Sequence, residues 1–159
     1  MATFNKFNQF VEDRANGVHN LGTDTLKFML TNTAPVATNS VKADITEITA
    51  GSGYTAGGSV VAITSSTQTS GTYSLVPTAD VVFTASGGSI GPFRYVVLYN
   101  DTPASPLDPL ISWYDRGSSV TLLDTETFTV DVGTVTSSFA DDKFTASYKP
   151  NSITVTFKA

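Results

Sequence analysis

The apolar positions divide the chain into a short helical opening and a long series of strands. Phe4, Phe7, Val11 and Val18 fall at spacings of three, four and seven, which places them on one face of a helix. Glu12, Asp13 and Arg14 lie mostly off that stripe, and Gly17 is a stop signal. The pattern predicts a helical segment within residues 1–22. Leu26, Phe28 and Leu30 alternate with Lys27 and Met29, the pattern of a half-buried strand. Val41, Ile45 and Ile48 return to helical spacing, with Asn39 or Ser40 placed to cap the start. They predict a second short helix ending at Gly51. From Tyr54 onward the period is two, with strands at "SVVAITSST", "TYSLV", "DVVFTA", "FRYVVLYN", "LISWYD", "VTLL", "TFTVDV", "KFTASY" and "ITVTFK". Turns fall between them at "TSG", "SGGSIGP", "RGSS", "DTE" and "KPNS". "DTPASPLDP", with Pro103, Pro106 and Pro109, is no regular element.

About nine or ten short strands, with turns roughly every 8–12 residues, predict a sandwich or a barrel. The reading is one all-β domain over 1–159: a two-sheet β-sandwich, with a jelly-roll-like order among those open to it and one or two short helices near the N-terminus. Its C-terminal hairpin spans 134–159. There Phe144 and Tyr148 are expected to pair across "KPNS" with residues among Ile153, Val155 and Phe157.

Residues 86–101, "SGGSIGPFRYVVLYND", pose the sharpest choice, between a ligand loop and a turn that launches a strand. Strict alternation puts Phe93, Tyr95, Val97 and Tyr99 on one face and Arg94, Val96 and Leu98 on the other. Both faces are mostly apolar, which predicts a central strand. Gly87, Gly88 and Gly91 then serve the turn before it, where positive φ costs glycine little. A phosphate loop needs a following helix and usually a lysine. Here a strand follows, and no lysine lies between Lys42 and Lys143.

Composition narrows the function classes. The chain has 159 residues, no cysteine and one histidine. Disulfides, thiolate metal sites and thiol nucleophiles are thereby excluded. The net charge is −5, and the nine basic residues are scattered, so no basic patch suits DNA or an acidic membrane surface. Polarity comes instead from 25 threonines and 17 serines, residues that suit exposed strand faces. No apolar run approaches a membrane span. The opening "MATFNKFNQF" lacks the basic start and apolar centre of a signal peptide, so export by a leader is not expected.

Candidate chemistry is sparse. His19, at the end of the predicted helix, is the only imidazole for a Ser–His–Asp arrangement, and no nucleophile-elbow motif accompanies it. A solvent-facing or helix-terminal histidine is the simpler expectation. Asp124 with Glu126, Asp141 with Asp142, and Asp101 with Asp108 do not follow calcium-loop spacing, and acidic residues flanking a turn are ordinary turn chemistry. Trp113, Tyr114, Tyr95, Tyr99 and Tyr54 have the character of a sugar-binding face, but two-sided apolar strands make the core their expected place. Arg94 among aromatics has the composition of an interface centre. No catalytic, cofactor-binding or metal-binding residue is assigned, no cofactor is expected, and the chain is not expected to be an enzyme.

Several stretches resemble a family of structural proteins of tailed-bacteriophage virions. They are "FNKFNQFVED…GVHNLGTDTLKFMLTNTAPVATNSVKADITEI", "GYTAGG", "SGGSIGPFRYVVLYNDT", "PLISWYDRGSSVTL" and "ETFTVDV", together covering most of 4–132. Residues 133–159 do not match the family's shorter ending. The resemblance implies a capsid decoration, or cement, protein made in the host bacterial cytoplasm and carried on the capsid exterior. Its implied partner is the major capsid protein, and its implied state is a homo-oligomer, a trimer. No direct contact with nucleic acid or membrane is expected. The alternatives are a tail or neck structural component and a virion carbohydrate-binding module.

Overall fold

A computed structural model describes residues 3–132 and the strands 135–140, 143–148 and 153–156, with side chains over 5–132. The elements in order are β1 (Thr3–Lys6), α1 (Gln9–Ala15), β2 (Leu26–Thr31), a 3₁₀ turn (Lys42–Asp44), β3 (Ser59–Val61), β4 (Ile63–Thr69) and β5 (Thr72–Pro77). There follow β6 (Val81–Thr84), β7 (Ile90–Asn100), β8 (Leu110–Leu122), β9 (Thr127–Val130), β10 (Val135–Ala140), β11 (Lys143–Tyr148) and β12 (Ile153–Thr156). The fold is all-β and antiparallel, with one short helix near the N-terminus, as the alternation predicts.

The strands hydrogen-bond as three ladders, in the orders β1-β8-β7-β2-β3, β11-β10-β5-β4 and β12-β9-β6. The five-stranded ladder is the middle of the molecule, because both of its faces are covered. On one face Phe28, Leu30, Val96, Leu98 and Tyr114 meet Val81 and Phe83 of β6, Phe128 and Val130 of β9, and Leu75 of β5. On the other face Met29, Tyr95, Val97, Tyr99 and Trp113 are covered by Phe7 and by Ala37 and Ile45 of the 32–48 connection. Burial on both sides explains why β7 reads as a continuous apolar run, and it corrects the half-buried reading of β2, where Met29 is fully buried in the second core. Phe128 links the layers, with its ring 4.9 Å from that of Phe93 in an edge-to-face contact and 6.4 Å from that of Phe83.

The predicted central strand is present and starts at Ile90, but its faces differ from simple alternation. Phe93 joins Val96 and Leu98 in the first core, while Tyr95, Val97 and Tyr99 lie in the second. The switch falls where the pairing is irregular. Phe93 lies opposite Val120 and Tyr95 opposite Asp115, so β8 carries extra residues at the point where the alternation of β7 is interrupted. The same extra residues are the predicted turn "RGSS". They form no turn between strands, and β8 runs unbroken from Leu110 to Leu122.

The helical opening needs correction. Thr3–Lys6 is a strand, with Phe4 opposite Tyr114 on β8, and the helix covers only Gln9–Ala15. Its inward residues are Phe10 and Asp13, and Val11 is 42% exposed. A helix of seven residues is too short to form on its own propensity. Pairing with β8 and burial of Phe7 and Phe10 on opposite sides decide where it begins.

The second predicted helix is a single 3₁₀ turn at Lys42–Asp44. Neither Asn39 nor Ser40 caps it through its side chain. Asp44 instead accepts hydrogen bonds from the backbone N–H of Ser40 and Val41, which hold its carboxyl below the usual range. Ile45 packs into the second core and Ile48 against the first, so their helical spacing marks two sides of a sheet.

Two further strand readings change. "SVVAITSST" breaks at Ala62, where the chain leaves the five-stranded ladder as β3 and joins the four-stranded one as β4. The expected C-terminal hairpin within 134–159 is re-paired: Phe144 lies opposite Phe139 and Tyr148 opposite Val135, in a β10–β11 hairpin. Ile153 and Val155 lie opposite Val130 and Phe128 of β9, in another ladder. Phe157 lies outside the described residues. The pairing follows the open edges, because β5 and β9 each offer one.

Candidate functional site

Polar side chains cluster where loops close over the five-stranded ladder. β3 covers β2 only as far as Phe28, so the backbone of Leu30 would lose its ladder partner there. The chain supplies two substitutes. Ile48 N–H donates to the Leu30 carbonyl at 3.1 Å, and Leu30 N–H donates to the Tyr54 hydroxyl at 3.0 Å. The Tyr54 hydroxyl in turn donates to Glu47 Oε1 at 2.6 Å, and the same oxygen accepts Gly57 N–H at 2.6 Å. Burial, and then the Glu47 carboxylate, raise the Tyr54 phenol well above its usual range. The "GYTAGG" stretch is therefore a brace that finishes an incomplete strand.

Beside this brace lies an open depression of about 440 Å³, lined by Val41, Ala43, Ile45 and Leu107 with Lys42, Glu47 and Asp108 at its polar side. Lys42 Nζ lies 5.1 Å from the Tyr99 ring centroid and 3.9 Å from Asp108 Oδ2. Leu107 is 66% exposed.

A buried polar group sits at the end of β7. Asn100 Nδ2 donates to Asp24 Oδ2 at 2.6 Å and lies 3.2 Å from His19 Nδ1. With Nδ1 accepting, the proton of the neutral ring is on Nε2. His19 is buried with its ring 5.2 Å from that of Phe10, so the expectation of a solvent-facing histidine is corrected. Asp13 is buried alongside it and accepts Gln9 Nε2 at 3.0 Å. Burial pushes the His19 imidazole down to about 4, against the opposing pull of Asp13.

That shift has a pH consequence. Between pH 6.5 and about 4 the unfolded chain protonates His19 and the folded one does not, so stability falls as pH drops through this window. The expected loss is on the order of 3 kcal/mol. Urea unfolding at pH 7 and pH 4 measures it. His19→Asn should remove most of the pH dependence in that window, and an unchanged profile would refute the assignment to His19.

The other residues singled out in the sequence are dispersed. Arg94 makes two 2.7 Å bonds to the Asp115 carboxylate and lies over the Tyr95 ring at 5.2 Å. Asp115 also accepts Gly117 N–H, and with Arg94 it holds the bulge of β8 in place. The Arg94 guanidinium keeps the Asp115 carboxyl below its usual range. Trp113, Tyr114, Tyr95, Tyr99 and Tyr54 are all buried and form no exposed platform. Glu126 accepts Leu123 N–H, local turn chemistry as expected, while Asp124 accepts the N–H of Gly87 and ties its turn to the loop before β7. Asp101 pairs with Lys27 at 2.7 Å and Asp108 with Lys42. Asp141 and Asp142 lie outside the described residues. Among the described residues no three His, Cys, Asp or Glu converge on a metal position, and no helix is long and apolar enough to cross a membrane.

Sequence reasoning missed Glu47, Asp13, Asp24 and Asn100. Only Tyr54 and His19 carried a signal, and burial of their polar partners has no signature at the level of spacing. Comparisons of the chain with protein-family models, curated proteins and solved structures find no match.

Proposed function

We propose that this chain is a structural component of a tailed-bacteriophage virion: a capsid decoration protein that binds the outer surface of the shell as a homo-oligomer, with the major capsid protein as its partner. The observation that carries the reading is where the resembling stretches fall. They supply β1, β2, β7 and β8, four of the five strands of the central ladder, together with α1, the 32–48 connection, the Tyr54 brace and β9. The resemblance thus follows the part of the molecule that sets the fold, including loop residues such as Tyr54 and Gly58 whose identity the packing requires.

The physical role follows from linkage. A protein that binds the assembled shell and not the free subunit stabilises the shell by mass action, through modest contacts repeated over its surface. Purified particles with and without this chain should differ in the temperature at which they release DNA, and restoring the chain should restore that temperature. Equal heat tolerance would refute the cement role. Labelling found only on the tail would favour a tail or neck component instead.

A further inference from the structure

The four-stranded ladder ends on β4, and that edge is built without the usual guards. Natural edge strands avoid strand addition by being short or by carrying charge, proline or a bulge. β6 and β12 have four residues each, β3 has three, β1 ends in Lys6 and β11 begins with Lys143. β4 has seven residues, "ITSSTQT", with no charge and no proline. Its one irregularity lies between Ile63 and Ser65, and Ser65–Thr69 pairs with β5 in unbroken register.

The direction of its backbone groups follows from the turn. Ser70 and Gly71 have φ of 51° and 79°, the two-residue hairpin geometry whose flanking pair, Thr69 and Thr72, is hydrogen-bonded. Alternation then turns Thr67 toward β5 and sends the N–H and C=O of Ser66 and Gln68 outward. No hydrogen bond among the described residues takes those groups. Residues 66–71 are exposed, with the body approaching the strand at Ser66, whose side chain lies against Gly22.

We propose that β4 is a self-association edge, where a second copy of this chain adds a strand and continues the four-stranded ladder. Charge selects the occupant. Each molecule carries a net charge of −5, so contact between two copies is least opposed where the surface holds no charged residue. β4 and β5 together hold no charged residue, and hydroxyl-bearing threonine and serine suit both a strand and a solvated edge in the free molecule. The inference concerns contacts between copies and does not depend on the capsid reading.

The test uses the purified full chain without capsids. Sedimentation over a concentration series should show assembly. Gln68→Pro, which deletes one outward N–H and leaves the bonds to β5 in place, should weaken assembly by about tenfold or more. Hydrogen exchange on the unmodified chain provides the second reading: the Ser66 and Gln68 amides should exchange about tenfold slower in the assembled state than in dilute solution. A chain that stays monomeric at all concentrations overturns the proposal. So does an assembly in which those two amides still exchange freely, or one that Gln68→Pro leaves intact. If Gln68→Pro fails to fold, the exchange measurement decides, since it needs no substitution.

Discussion

Gly58→Ala is expected to leave little folded protein, with a loss of about 4 kcal/mol or more out of a typical total of roughly 5–15 kcal/mol. Gly58 has a φ of +77°, a backbone region that side chains rarely adopt. A Cβ built there falls on the carbonyl of Phe28, with the Phe28 carbonyl carbon 2.7 Å away and Met29 Cα 2.8 Å away. All of these are backbone atoms of β2, the strand between β3 and β7, so no side-chain rotation relieves the clash. Relief would require β2 to move away from the segment that leads into β3. Gly71→Ala is the informative control. Its φ is +79°, but nothing lies within 4 Å of its Cβ position. It should cost only the conformational penalty of roughly 1–2 kcal/mol. Urea denaturation followed by circular dichroism compares the two. Equal losses would show that the close approach to Phe28 is not the cause.

Phe128→Ala should cost about 3–5 kcal/mol, the range for emptying a buried aromatic site. Its ring is fully buried and contacts Phe93 on the central ladder and Phe83 on β6. Those neighbours are fixed by strand pairing, with Phe83 opposite Phe128 in the ladder, so the cavity cannot collapse freely. Val82→Ala on the same β6 strand is the control. Val82 is 50% exposed, and its truncation should change stability by less than about 0.5 kcal/mol. The urea midpoints of the two variants measure the difference. A Phe128→Ala protein within 1 kcal/mol of the parent would mean that the two layers are not packed through this ring.

Strand content and class were legible because period-two alternation is a local property. Leu26, Phe28 and Leu30 needed only a pleated backbone to be read as one face of a strand, and the apolar run of β7 to be read as a central strand, although Met29 and Phe93 show that the opposite face of β2 and the alternation of β7 were not legible. The absence of cysteine and of basic clustering was legible for the same reason: composition needs no geometry. Glycine positions at 87, 88 and 91 were recognised as requiring positive φ, although Gly91 lies inside β7 and not in the turn before it.

Tertiary structure decided the rest, and in each case the reason is a partner distant in sequence. Ile45 and Ile48 have helical spacing, yet they flank a sheet, because the 32–48 connection is held by β2 and β7 and not by its own helical bonds. Phe4 became a strand residue because β8 had an edge to pair. Phe93 and Tyr95 part to opposite faces where the pairing of β7 with β8 is irregular. The strands after residue 134 divided between two ladders because β5 and β9 each presented an open edge, a fact invisible to a reading of hairpin spacing. His19, expected to face solvent or to end the helix, is buried, since it meets Phe10 and the Asn100–Asp24 pair, which joins residues 76 apart. Alternation tells each strand that it has two faces; only the assembled ladders settle what each face meets.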